Sequence, residues 1–382
     1  MPATEDLVAA VGLDRVGTPA ESLRVAPRQY TVGEGVIEQI EASVRDRGDV
    51  SSVGILASPS GDAAVGETVE TALEHAGVEY EHRSFEGECT VPAVRRHREA
   101  FADDTDLIVG VGGGKALDTA KLVAEGRCPI VTVPTNAATS AAWTALSVVY
   151  DEDGRYRGGV RLSSCPDALF LDPSVVADAP ARYLANGVMD ASAKFFETAL
   201  MAEDELGPLA TLGRSVAQEV YADLLRTYAG PAIADARADE VTPALTAASE
   251  AAIAGPGVAV GLLSDRSYLT LPHVFCYTLL SYGTVQADSY HGERVAYGVL
   301  VTQALLGQAT PELRSLKRWY ESLGEAMTLS NLGVEASEAT IQSLGRDAHD
   351  GLAYNLLPRT VSASDVIEAI ERVESIPSTA DR

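Results

Sequence analysis

Between residues 106 and 125 an apolar run, Leu107-Ile-Val-Gly-Val111, ends in Gly112-Gly113-Gly114-Lys115 and passes into a helical pattern over Lys115 to Glu125. A buried strand that turns on glycines directly into a helix is the repeating unit of a parallel sheet covered by helices. The same alternation surrounds it. Val53-Gly-Ile-Leu-Ala57, Tyr80 to Phe85 and Pro129-Ile-Val-Thr-Val133 read as strands, and Gly61 to Ala76 and Pro92 to Ala102 read as helices. Val148 to Arg161 reads as a hairpin turning at Asp153-Gly154.

Glycines let backbone N–H groups approach an anion, the helix start adds partial positive charge, and Lys115 adds a full one. The loop is not a Walker A motif, which needs Gly at 109 and Ser or Thr at 116, where Val109 and Ala116 stand. It also departs from the usual dinucleotide spacing, with Lys115 where the third Gly belongs. Pattern alone therefore leaves two readings, a pyrophosphate cradle or an ordinary tight turn. Asp118, one helical turn on, is either a ribose or amide contact or a partner of the helix dipole.

After about residue 170 helical periodicity takes over, with expected helix ends at Pro173, Pro180, Gly207-Pro208, Gly230-Pro231, Gly255-Pro256-Gly257 and Pro311. With 382 residues there is room for about two domains. The expected division is an α/β domain over 1–168 and a helical domain over 169–382. Ile376 to Arg382 is expected to fray. Met1 to Leu13 carries Glu5 and Asp6 and no basic start, unlike a signal peptide. No run of 18 apolar residues is present, so no membrane span is expected.

The chain carries 55 Asp and Glu against 29 Lys and Arg, a formal charge of −26, and only four of its basic residues are lysines (115, 121, 194 and 317). That balance disfavours nucleic acid and anionic membrane as partners, because both need clustered positive charge. It fits a halophilic protein kept soluble in a salt-rich cytoplasm, where counterions screen self-repulsion. The four cysteines (89, 128, 165 and 276) have neither paired nor metal-knuckle spacing and read as reduced thiols, again pointing to the cytoplasm.

Of six histidines, His273 and His291 lie in the helical half, in Leu271-Pro-His273 and Tyr290-His-Gly-Glu293. Imidazole suits Zn²⁺ or Fe²⁺. Their spacing matches no short metal motif, so metal ligands and ordinary core or surface histidines both remain open, and the acidic residues are too many to pick a third ligand by pattern.

Several segments together resemble the glycerol dehydrogenase branch of the iron-containing (metal-dependent) alcohol dehydrogenase superfamily. They are Val109 to Lys121, Phe85-Glu-Gly-Glu-Cys89, Val133-Pro-Thr135, Ala145 to Tyr150 and His291-Gly-Glu-Arg-Val-Ala-Tyr-Gly298. The resemblance runs from about residue 25 to 310. It implies the dehydroquinate synthase-like fold, an N-terminal α/β dinucleotide-binding domain with a parallel sheet and an all-helical C-terminal domain, with the site between them. It implies one divalent metal, Zn²⁺ or Fe²⁺, held by Asp190 (in Gly187-Val-Met-Asp-Ala191), His273 and His291, and more than one subunit. Phosphate contacts carry over to Gly113, Gly114 and Lys115, and further cofactor contacts to Asp118, Thr135, Thr144, Leu146 and Tyr150. The implied chemistry is hydride transfer between NAD(P) and a small alcohol, with the metal as Lewis acid on the substrate oxygen.

Three departures bear on specificity. Ser140 stands where the glycerol enzymes carry a polyol-contacting Asp, and the run Ala137 to Ser147 looks closer to hydroxycarboxylate dehydrogenases. Ser58 replaces the acid that often follows the second strand and selects NAD, so the cofactor leans to NADP. Cys276 stands where a second His often occurs. The expected substrate is thus a small 2-hydroxy or 2-oxo acid, with Arg157, Arg161 or Arg294 as a positive partner for its carboxylate; plain glycerol oxidation is the alternative. A dehydroquinate synthase-like lyase and a sn-glycerol-1-phosphate dehydrogenase would need more basic residues for a phosphorylated substrate. A non-enzymatic binding protein would have no use for the Asp190, His273, His291 set.

Overall fold

The computed structural model describes residues 9–10, 23–201, 207–263, 271–282, 284–324, 326–351 and 360–378. Most of the Met1 to Leu13 segment read for a leader lies outside them. Six parallel strands form one sheet: β1 (Gln29–Val32), β2 (Ser52–Ala57), β3 (Glu79–Ser84), β4 (Leu107–Gly112), β5 (Ile130–Pro134) and β8 (Ala168–Leu171). Their order is β1-β8-β5-β4-β2-β3. Strands β6 (Leu146–Tyr150) and β7 (Tyr156–Arg161) form the expected antiparallel hairpin. Helices α1 (Ile40–Arg45), α2 (Pro59–Ala76), α3 (Val91–Ala100) and α4 (Gly114–Ala124) complete the α/β part.

Period-2 alternation explains how this sheet is buried on both faces. Val53, Ile55, Val109, Val131 and Phe170 point into one core with α2, while Leu56 and Ile108 point into another with Ala116 and Ala120 of α4. Leu169 and Leu171 turn instead into the helical half, sharing a core with Val188, Met189 and Phe275. The sheet therefore runs three residues past the expected boundary at 168, because β8 is a four-residue apolar strand that leads straight into helical pattern.

The described helices after β8 are α5 (Pro173–Asp178), α6 (Ala181–Ala199), α7 (Pro208–Glu219), α8 (Arg226–Arg237), α9 (Pro243–Leu263), α10 (Leu271–Leu279), α11 (Val285–Asp288), α12 (His291–Leu305), α13 (Thr310–Leu323), α14 (Glu338–Gly351) and α15 (Ala363–Glu374). Pro173, Pro208 and Pro311 lie in first turns, where a missing N–H costs nothing. Two expected breaks do not occur: Pro231 lies inside α8 and Pro256 inside α9. A Cβ on Gly257 would sit 2.2 Å from Trp143, so the Gly-Pro-Gly segment makes room for an indole rather than ending a helix.

Helix α9 is long and apolar enough to cross a membrane by length and composition, although no uninterrupted run of 18 apolar residues exists. It packs against α6, α7 and α8 and serves here as a core helix. The frayed tail expected over Ile376 to Arg382 is corrected at its start, where Ile376 is buried and its carbonyl accepts from Lys317 Nζ at 2.8 Å, while 379–382 lie outside the described residues. Among the described residues all four cysteines are free thiols.

Candidate active site

Three helices converge on a buried Asp–His–His cluster. Asp190 projects from α6, His273 from the first turn of α10, and His291 is the first residue of α12. Asp190 Oδ1 lies 3.3 Å from His273 Nε2 and 3.4 Å from His291 Nε2. One ligand atom from each residue falls within 4.8 Å of the other two. The contacts to Oδ1 are not aligned as hydrogen bonds, and this buried oxygen has no hydrogen-bond partner. A carboxylate oxygen and two imidazole nitrogens aimed at one point, with the oxygen orphaned, fit a divalent cation, and an Asp and two His suit Zn²⁺ or Fe²⁺.

Glycines set the distances between these helices. A Cβ on Gly187 would lie 1.7 Å from Ala137 O, in the loop after β5. On Gly292 it would lie 2.0 Å from Asn186 O, and on Gly298 2.4 Å from Pro272 O. The glycine of the Gly-x-x-Asp segment thus lets α6 seat against the β5 loop, and those beside and after His291 let α12 touch α6 and α10. Glu293 fixes the start of α12: its Oε2 accepts from Tyr290 N–H at 2.9 Å, and Arg182 Nε donates to Oε1 at 2.8 Å.

Outside the cluster, His273 Nδ1 meets Glu197 Oε1 at 2.5 Å, and Lys194 Nζ donates to Glu197 Oε2 at 2.6 Å. Cys276 Sγ lies 3.4 Å from His291 Nδ1, so the thiol at the departed position touches the other imidazole. Burial alone would push Glu197 up, but His273 and Lys194 outweigh it and hold the carboxyl at about 2. Burial likewise opposes ionisation of Asp190, yet the two imidazoles pull it well below the usual carboxylate range. Burial disfavours His291 charging, but Cys276 and Asp190 raise it to about 10, and Glu197 and Asp190 raise His273 in the same way. The cluster as a whole attracts positive charge.

Of the cofactor residues named from sequence, Ser58, Gly113, Gly114, Lys115 and Thr135 follow β2, β4 and β5 at the carboxyl edge of the sheet, where α/β folds take their ligands, whereas Asp118 lies within α4 and Thr144, Leu146 and Tyr150 lie in or beside the hairpin. Ser58 follows β2 and caps α2, accepting from Gly61 N–H at 3.1 Å. Beside it Gly112 has φ 137°, and a Cβ there would lie 2.4 Å from Ser58 Oγ. Gly113 and Gly114 open α4 without a side-chain cap, leaving its first N–H groups free for an anion. Lys115 is exposed and ion-paired with Glu88. Thr135 N–H donates to Gly112 O at 3.1 Å, joining the two loops.

Asp118 is already engaged. Lys121 Nζ stands 2.9 Å from its Oδ1, and Val148 N–H donates to its Oδ2 at 3.1 Å. It ties α4 to β6 and so seats the hairpin. Lys121 also donates to the carbonyls of Thr144 and Leu146 and holds that strand in place. Tyr150 packs edge-on against Tyr156, which stacks on Tyr277 of α10 at 3.8 Å. The Tyr277 ring lies 6.0 Å from His291 and 6.3 Å from His273. The hairpin thereby packs on α10, the helix that carries His273. Ser140 heads a short turn packed between α4 and α9, in the loop that Gly187 admits against α6. Of the three arginines, Arg157 is exposed, Arg161 half-buried, and Arg294 buried.

A glycine loop at the carboxyl edge of a parallel sheet together with an Asp–His–His cluster in the helical half is the make-up of a metal-dependent dehydrogenase of alcohols. Residues 27–173 match the iron-containing alcohol dehydrogenase family. Hydroxycarboxylate dehydrogenase A of Escherichia coli K12 is 33% identical over 77% of this chain and 82% of its own length. A glycerol dehydrogenase of Thermotoga maritima is 30% identical over 92% of this chain and 96% of its own. The crystal structure of glycerol dehydrogenase from Schizosaccharomyces pombe superposes with a TM-score of 0.85 at 25% identity, covering 95% of this chain and 92% of that one. The chain belongs to the iron-containing alcohol dehydrogenase family.

Sequence reasoning missed Glu197 and Lys194. They follow Asp190 by seven and four residues on one helix, the spacing of a single helical face, and that spacing was the available signal.

Proposed function

We propose that this protein is a cytoplasmic, metal-dependent NAD(P)-linked dehydrogenase whose divalent ion, Zn²⁺ or Fe²⁺, is held by Asp190, His273 and His291. The observation that carries the reading is the buried Asp190 Oδ1, without a hydrogen-bond partner and flanked by two imidazole nitrogens. Bound there, the ion supplies Lewis-acid polarisation of the substrate oxygen, and nicotinamide supplies the hydride. The residues of the chain bind and orient. Gly113, Gly114 and Lys115 hold pyrophosphate, Thr135, Thr144, Leu146 and Tyr150 place the nicotinamide half, and the Tyr156–Tyr277 stack walls the cleft. The test is a screen with NADH and NADPH in high salt against glycerol, diols and 2-oxo acids, before and after chelation.

The substrate is a small 2-hydroxy or 2-oxo acid. Ser140 is neutral and can donate to a carboxylate. Arg294 supports the same reading: it is buried, its Nε has no partner, and its charge is felt by Tyr150 and Cys276. A carboxylate beside an Asp at position 140 would suffer like-charge repulsion of about 4 kcal/mol at ~4 Å and an effective dielectric of ~20. Ser140→Asp should therefore depress 2-oxo acid reduction by up to ~10³-fold in kcat/KM while raising glycerol oxidation. Wild-type preference for glycerol over every 2-hydroxy acid tested would leave the plain glycerol dehydrogenase reading, which the names of the Thermotoga maritima and Schizosaccharomyces pombe relatives favour.

The cofactor is NADP(H) by preference. An acid after β2 would bond the ribose hydroxyl and repel a 2′-phosphate; Ser58 does not repel it. Ser58→Asp should shift the NADPH to NADH ratio of kcat/KM at least tenfold toward NADH, about 1.4 kcal/mol. An unchanged ratio would place cofactor choice at another residue.

A further inference from the structure

We propose that Glu197, backed by Lys194, is the positioning residue that fixes the tautomer and ring orientation of His273. The inference rests on the metal-site reading above. His273 and Glu197 are 9% and 5% exposed, and Glu197 Oε1 lies 2.5 Å from His273 Nδ1. A carboxylate on Nδ1 holds a ring proton there and turns the other nitrogen, Nε2, toward Asp190 Oδ1, 3.3 Å away, as the atom left to ligate. The other Glu197 oxygen is taken by Lys194 Nζ at 2.6 Å. This pairing matters because Asp190 and Glu197 lie two turns apart on the same buried face of α6. Lys194, between them in sequence, offsets the charge of Glu197, so Glu197 orients the ring while Asp190 keeps its charge for the ion. A carboxylate on the outer nitrogen of a ligating imidazole also raises the basicity of that ligand.

The same geometry explains why one of only four lysines lies inside the helical half beside the cluster. A lysine there is a poor choice for a packed helix unless its charge is used. Arg at 194 keeps the charge and Met does not, which separates an electrostatic role from a packing role.

The test uses the full-length apoprotein and cobalt(II) as probe, with affinity read by competition against a chelating dye, geometry by the visible absorption of bound cobalt, and folding by thermal melting. Glu197→Gln should weaken cobalt binding ten- to a hundredfold and shift the absorption band. Glu197→Asp, which withdraws the carboxylate by one methylene, should act in the same direction and carries the comparison if the Gln variant does not fold. Lys194→Met should weaken binding and Lys194→Arg should restore it. A Glu197→Gln protein with a lowered melting temperature but cobalt affinity within twofold of wild type, and an unchanged spectrum, would make Glu197 a packing residue and overturn the proposal. Wild-type protein that takes up no cobalt would fail one step earlier, at the metal site itself.

Discussion

Replacing Asp190 with Asn or Ala should remove the bound divalent ion and lower kcat/KM by more than the roughly 100-fold typical of changes to residues behind a metal ligand. Asp190 is the only carboxylate among the three converging ligands, and its Oδ1 lies within 3.4 Å of both imidazoles. Asn keeps the volume and deletes the charge, so it separates packing from coordination. Without that charge two imidazoles must hold a dication alone. Exhaustive chelation of wild-type protein should reproduce the loss, and one equivalent of Zn²⁺ or Fe²⁺ per subunit should reverse it. Protons compete for the same atoms: the surrounding acids raise both imidazoles, His291 to about 10. Ligands must be deprotonated to bind, so apparent metal affinity should rise with pH through the neutral range, with proton release on uptake. An Asp190→Asn protein that retains one ion per subunit and near-native turnover would place the metal elsewhere.

The legibility of this site differs by residue, and the difference is physical. The strands at 53–57, 107–111 and 129–133 were readable because they are central and buried on both faces, which writes a continuous apolar run. β1 is half-buried along its whole length and writes no such run, and the run that β8 writes is only four residues long, too short to stand out ahead of the helical pattern. Pro231 and Pro256 punctuate a helix in sequence but sit inside one in the fold, because tertiary packing outweighs the local cost. Asp190 could not be selected by pattern among 55 acidic residues; resemblance alone pointed to it. Asp118 shows the converse. Its place one turn after the glycine loop leaves a ligand contact and a dipole partner both open, and the tie it makes to Lys121 and Val148 N–H is one that no linear spacing reveals. The four lysines follow one logic: Lys121, Lys194 and Lys317 serve internal acids and carbonyls, leaving only Lys115 exposed at the loop edge. The acidic surface is therefore a property of where lysine was kept as well as how little of it there is.

Gly187→Ala should lower kcat/KM by about 10²-fold or more although it changes no functional group. In a solvent-facing helix the substitution would stabilise by about 0.5–1 kcal/mol. Here the new Cβ would lie 1.7 Å from Ala137 O, and ordinary contact begins near 3.4 Å, so helix and loop must part by roughly 1.7 Å. Neither side gives way easily. The β5 loop is pinned by Thr135 N–H on Gly112 O at 3.1 Å and by Thr132 Oγ1 on Ala142 O at 2.8 Å. Helix α6 is wedged from the opposite side, where Asn186 O would lie 2.0 Å from a Cβ on Gly292. Overpacking of this kind costs about 1–3 kcal/mol and sometimes more. The strain falls one helical turn before Asp190, on the segment that sets its distance from His273 and His291. Misplacing a reacting constellation by ~1 Å can cost ~10²-fold. The variant should therefore melt lower, hold metal more weakly and turn over slowly, and Gly292→Ala should do the same from the other face of α6. Native activity and melting temperature in Gly187→Ala would mean that the loop yields freely, and that the seating of α6 against it does not position Asp190.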